Sequence, residues 1–138
     1  MDISRNGLLI AKHILAADLG SPGLTFHSDH TDGVQVGVWN YDEAKILQPH
    51  IHNEHEKISD RTAEVLYVIK GSVHADIYDE TATLISELTI NEGDILICLV
   101  GGHGYQILED RTIVLEVKNG PYFGPEQDRR RIESQCHL

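Results

Sequence analysis

The sequence predicts an all-β fold of the sandwich or barrel kind, and three observations carry that prediction. Apolar and polar residues alternate with period two through 34–39 and again through 73–78. Short runs rich in β-branched residues recur, the most apolar being 64–69 and 95–100. Glycine and Asn/Asp turns punctuate the runs every 8–12 residues or so, which is the spacing of short antiparallel strands.

The elements follow in order. Residues 1–33 are mixed: an apolar piece at 8–11, then turn chemistry at Gly20-Ser21-Pro22-Gly23 and at Asp32-Gly33. A short helix is expected over 11–19. Val34, Val36 and Val38 alternate with Gln35, Gly37 and Trp39 as a strand. Ile46 and Leu47 lead into Pro49-His50-Ile51-His52, and the polar stretch 53–62 reads as a loop. Residues 64–69 form a strand that stops at Lys70-Gly71. Val73, Ala75 and Ile77 alternate with His74, Asp76 and Tyr78, and a hairpin loop at 79–83 leads to a strand over 84–90. Asn91-Glu92-Gly93-Asp94 is a tight turn, 95–100 a buried strand, and Gly101-Gly102-His103-Gly104 a kink or bulge. Residues 105–108 and 112–118 are expected to form a last hairpin, and Asn119-Gly120-Pro121 to end the regular structure. The whole chain, 1–138, reads as one domain. Its N-terminal strands and turns span 1–33, its barrel core 34–118, and its C-terminal tail 119–138. Arg129-Arg130-Arg131 in the tail reads as a solvated basic end.

Composition narrows the partners. The 138 residues carry a formal charge of −11, which disfavours phosphate backbones and anionic membrane surfaces. The longest apolar run, 95–100, is far too short to span a bilayer. The first residues lack the basic flank and apolar stretch of a signal peptide. The two cysteines make no disulfide framework; Cys98 reads as a small core hydrophobe. A cytoplasmic protein with a small-molecule ligand or substrate is expected. The compositional excess that points to chemistry is histidine, with nine residues.

His50 and His52 are two apart, so on a strand they share a face. Glu64 opens a strong strand, where an inward carboxylate is costly unless paired or coordinated. His103 sits among glycines that permit close packing. Three imidazoles and one carboxylate make a mixed N/O set suited to a divalent transition metal: Fe, Mn, Ni, Co or Zn. The alternative is a set of satisfied or solvated histidines, with Glu64 facing solvent and His103 capping a turn.

These residues resemble the cupin motifs. His50-Ile51-His52 matches the His-x-His of the first motif, and Glu64, six residues and Gly71 match its second half. Gly93-Asp94 and Gly101-Gly102-His103 resemble the second motif. The gap between His52 and Glu64 is longer than usual, and 53–63 reads as a lengthened loop. Glu56 stands at the usual distance from His52 but lies in a polar run without the following glycine, so Glu64 is taken as the carboxylate. The chain further resembles small bacterial cupins that share phrases such as Gly101-Gly102-His103-Gly104-Tyr105 and Lys118-Asn119-Gly120-Pro121-Tyr122 and often stand beside surface-sugar genes. The resemblance implies a double-stranded β-helix (jelly-roll) barrel over about 34–118, dimeric, with His50, His52, Glu64 and His103 on a metal near one mouth.

The function expected from these residues is a metal-assisted enzyme. It would act on a small carboxylate or sugar-derived substrate, by isomerase, epimerase or lyase chemistry or as an oxygenase. Candidate catalytic residues are His55 as an extra ligand or proton shuttle, Arg61 as a partner for an anionic substrate, and Tyr105; the plainer reading of the three is a mobile loop histidine, a solvated arginine and a packing tyrosine. Two alternatives stay open: a non-catalytic small-ligand module, and a metal-free nucleotide-sugar isomerase or epimerase with a base such as His55 or His103 close to a tyrosine. His74 reads as facing away from the apolar side of its strand.

Overall fold

The computed structural model describes residues 1–57, 59–121 and 123–132. Its ten strands lie in three antiparallel sheets. The largest comprises β1 (Asp2–Arg5), β2 (Leu8–Ile14), β8 (Ile95–Cys98), β5 (Glu64–Lys70) and β10 (Ile113–Lys118), in the order β1-β2-β8-β5-β10. The second comprises β7 (Leu84–Asn91), β6 (Ser72–Tyr78) and β9 (Gly102–Ile107), in the order β7-β6-β9. A two-stranded ribbon joins β3 (Gly23–Phe26) to β4 (Gly37–Asn40). The all-β class is therefore observed. Among the described residues the sheets do not close on one another.

The period-two pattern explains how they pack. Val73, Ala75 and Ile77 of β6 are fully buried and meet Leu66 and Val68 of β5 and Leu96 and Cys98 of β8 in the core between the two larger sheets. The opposite face of the five-stranded sheet buries Ile14, Val65, Ile95 and Ile97 against Val34, Val36 and Val38. Strand β8 is thus covered on both faces, which is why 95–98 reads as an unbroken apolar run rather than an alternating one. The turn before it is tied down by buried Asp94. Its carboxylate accepts hydrogen bonds from the Ala16 N–H (2.8 Å) and the Asn91 N–H (3.0 Å), and pairs with the Nε2 of buried His13 at 2.8 Å. Burial alone would push the Asp94 carboxyl up, but those backbone N–H groups and His13 hold it below its ordinary value.

Several expectations are corrected. No helix forms over 11–19: β2 runs through Ile14, because its backbone completes the ladder to β8, and only Ala16–Leu19 coils as a 3₁₀ turn. The alternation at 34–39 is real, but the strand there is only Gly37–Asn40. Residues 105–108 and 112–118 do not pair as a hairpin. β9 pairs with β6 and β10 pairs with β5, so the chain crosses from one sheet to the other between them. A one-turn helix, α1 (Pro125–Asp128), follows the point where regular structure was expected to end. Tyr122, Cys136 and His137 lie outside the described residues.

The glycine cluster bends where Gly101 takes φ +79°, and β9 starts at Gly102, placing His103 inside a strand. A Cβ at position 101 would run into the Tyr78 carbonyl. Gly101→Ala is therefore expected to cost roughly 2–4 kcal/mol in urea denaturation. Gly20→Ala, which meets nothing within 4 Å, should stay within about 0.5 kcal/mol of the parent. Equal stabilities for the two variants would contradict the bend as described.

Candidate functional site

The register places a row of unlike side chains on the inner face of the five-stranded sheet. Glu64, the first residue of β5, pairs with Cys98 of β8 on one side and Lys118 of β10 on the other. On the facing sheet, His103 and Tyr105 of β9 stand opposite Ile77 and Ala75 of β6. Those two β6 residues are in the core, so His103 and Tyr105 share its face and point at the row.

The side chains meet at the Glu64 carboxylate. Tyr105 donates its hydroxyl to Glu64 Oε1 at 3.0 Å, and His103 Nε2 lies 3.4 Å from the same oxygen. Lys118 Nζ takes Glu64 Oε2 at 3.1 Å and Glu116 Oε1 at 3.1 Å. The Cys98 Sγ lies 3.7 Å from the Tyr105 hydroxyl, and the His103 and Tyr105 rings stack with centroids 5.0 Å apart. The Glu64 side chain is 4% exposed, whereas His103 and Lys118 are 32% and 31% exposed. The carboxylate is the anchor, and the two cations carry its charge to the surface.

Electrostatics follow from that packing. Burial alone would raise the Glu64 carboxyl, but the hydrogen bonds and charges of His103 and Lys118 override it and hold it at about 2. Burial likewise opposes an imidazolium, yet the Cys98 sulfur and the Glu64 carboxylate hold His103 up at about 10. Burial, then Cys98 and Glu64, push the Tyr105 hydroxyl far up, so it stays a neutral donor. At neutral pH the cluster is Glu64 ionised, His103 and Lys118 charged, and Tyr105 protonated. A cavity of about 1120 Å³ opens over it, lined by Glu64, His103, Tyr105, Glu116 and Lys118 and by Arg61.

The structure brings together some of the residues singled out from sequence and leaves others apart. Glu64, His103 and Tyr105 converge. His50 and His52 do not lie on a strand: they are exposed in the irregular stretch before β5, their rings edge-to-face at 4.9 Å, with His50 Nδ1 3.0 Å from the Gln48 carbonyl oxygen. Among the described residues no edge of either large sheet captures that stretch, so His50 and His52 need not share a face. Among the described residues, no three of His50, His52, Glu64 and His103 have donor atoms within 4.8 Å of one another. His55 and Glu56 are exposed in the same stretch. Arg61 bonds Glu80 Oε1 at 3.2 Å on the cavity wall.

As arranged, Glu64 Oε2 is held by an ammonium and Oε1 by a phenol and an imidazole. Lys118 and Cys98 were missed from sequence. The signal for Lys118 was its period: Val114, Glu116 and Lys118 alternate along one face of β10, two charges on the side that also packs the core.

Among the described residues no helix is long and apolar enough to cross a membrane. The chain matches no protein-family model, no curated protein and no solved structure.

Proposed function

We propose that the groove over Glu64 binds a small oxygenated anion, a carboxylate or a sugar-derived compound, and shifts a proton beside its carbonyl, as an isomerase or epimerase does. The observation that carries this reading is the His103 imidazole, whose Nε2 lies 3.4 Å from the buried Glu64 carboxylate at the mouth of a cavity. An imidazolium there donates to a carbonyl oxygen and stabilises the enolate that forms when the adjacent C–H proton leaves. Lys118 adds positive charge beside it. Tyr105, by donating to Glu64, fixes the carboxylate that orients His103. The proton acceptor offered by this arrangement is Glu116, half-exposed on the cavity wall.

A second reading is the metal enzyme, with His50, His52, Glu64 and His103 as ligands, within a cupin-type jelly roll. What favours it is strand order. The nested antiparallel pairs β5·β10, β5·β8, β6·β9 and β6·β7 are those of a double-stranded β-helix. In that fold a further strand lies beside β9, and the stretch carrying His50 and His52 would supply it.

One experiment separates the two. The protein is incubated in D₂O with a panel of sugar acids, nucleotide sugars and small keto acids, before and after chelator dialysis, and metal is counted by elemental analysis. The first reading expects deuterium uptake that survives chelation and falls at least 100-fold in His103→Gln and Glu116→Gln. Uptake abolished by chelation, together with about one metal per chain lost in His52→Ala, would establish the second instead. No uptake under either condition rejects the proton-transfer reading.

A further inference from the structure

A second cluster lies on the other face of the β7-β6-β9 sheet, away from Glu64. His74 and Asp76 are i and i+2 on β6, so they share its outer face, while Val73, Ala75 and Ile77 turn inward to the core. Glu87 of β7 stands directly opposite Asp76 in the ladder. His74 Nε2 is 2.9 Å from Asp76 Oδ1 and 3.9 Å from Glu87 Oε1, and the three donor atoms lie within 4.8 Å of one another.

Two features set this group apart from ordinary surface charge. Like charges directly opposite in a ladder repel, yet among the described residues Asp76 and Glu87 pair with His74 alone, no lysine or arginine joining them. Across the ladder from Asp76 on the other side stands Gly104, whose missing side chain leaves the space beside the carboxylate open. The large cavity reaches this face as well, touching His74, Asp76, Glu87 and Gly104. Donors that share one ion at about 2.1 Å sit roughly 3–4 Å from each other, and the two distances from His74 span that range.

We propose that His74, Asp76 and Glu87 bind a divalent transition cation on the outer face of this sheet. One imidazole nitrogen and two carboxylate oxygens are a mixed N/O set that suits Zn(II), Mn(II), Co(II) or Ni(II), and three protein donors leave positions for water or for an oxygen-bearing ligand from the cavity. The ion replaces the repulsion of two facing carboxylates with attraction, and it ties β6 to β7 through their side chains. The site shares no residue with the Glu64 cluster and stands whether or not the proton-transfer reading does.

The test is a titration with Zn(II) alone, and separately Co(II) alone, by calorimetry on the full chain after chelator treatment, with His74 ring resonances followed by NMR. Glu87 is largely exposed, so Glu87→Gln keeps the fold, which circular dichroism checks; Asp76→Asn is the second variant. The proposal expects one ion per chain at this site, displacement of the His74 resonances, and at least tenfold weaker binding in each variant, with no change in Glu64→Gln. Absence of binding by the parent, or binding that survives Glu87→Gln and Asp76→Asn undiminished, overturns it. In that outcome His74 is simply the counter-ion of two carboxylates.

Discussion

Glu64→Gln is expected to lower the His103 pKa from about 10 toward its ordinary 6.5. The physical reason is a balance of three influences on the ring. Burial disfavours the imidazolium, and only the partners Cys98 and Glu64 reverse it. Glutamine keeps the shape of the side chain and removes its charge, so burial then has one fewer opponent. The same variant leaves Lys118 with Glu116 as its remaining carboxylate partner. The measurement is a ¹H–¹³C NMR titration of the His103 ring. In the parent the ring stays charged through neutrality and titrates only in alkali; in the variant it titrates at a lower pH, nearer 6.5. Any activity that depends on the charged ring should fall about tenfold at pH 7.5 for a ring that titrates near its ordinary 6.5, and recover as the pH is lowered. An unchanged His103 titration would mean that the carboxylate does not hold it.

The thermal stability of the parent should show a plateau between about pH 4.5 and 6.5, with losses on both sides that Glu64→Gln lacks. The signs follow from the two shifts. The folded Glu64 carboxyl lies at about 2 against an ordinary 4.5. Its contribution is complete above 4.5 and is lost as pH falls toward 2. The folded His103 ring lies at about 10 against an ordinary 6.5, so its contribution is complete below 6.5 and is lost as pH rises through 10. Both shifts describe largely one ion pair and are counted once. A lowering of this size on a side chain only 4% exposed is worth roughly 3 kcal/mol, or about 10 °C in melting temperature for a domain this long. Melting followed by circular dichroism from pH 2.5 to 10, parent minus variant, reads the effect directly, because the other carboxyls titrate equally in both. A flat difference curve would show that the buried pair contributes nothing to stability.

The cluster behind both results was partly legible in the sequence. Glu64 was marked by its cost: a carboxylate opening an apolar strand has to be paired or coordinated, and it is paired, with Lys118, Tyr105 and His103. His103 was marked by its glycines, which bend the chain and bring it onto a strand facing that carboxylate. Its partner across the sheet was less visible, because Lys118 is 54 residues from Glu64 and its position depends on which strand β10 pairs with.

Local chemistry carries strands, turns and burial, since period two and turn residues act over a few residues. On those grounds the chain's all-β character, the 79–83 hairpin, the 91–94 turn and the burial of Cys98 follow from residues alone. Pairing is non-local, and its energy depends on a ladder and a core that no short window contains. That is why Ala11 to Ile14 became strand rather than helix and why β9 and β10 went to different sheets. It is also why His50 and His52 stand apart from Glu64, while His74, sequestered from the core by strict alternation, gained two carboxylates as neighbours.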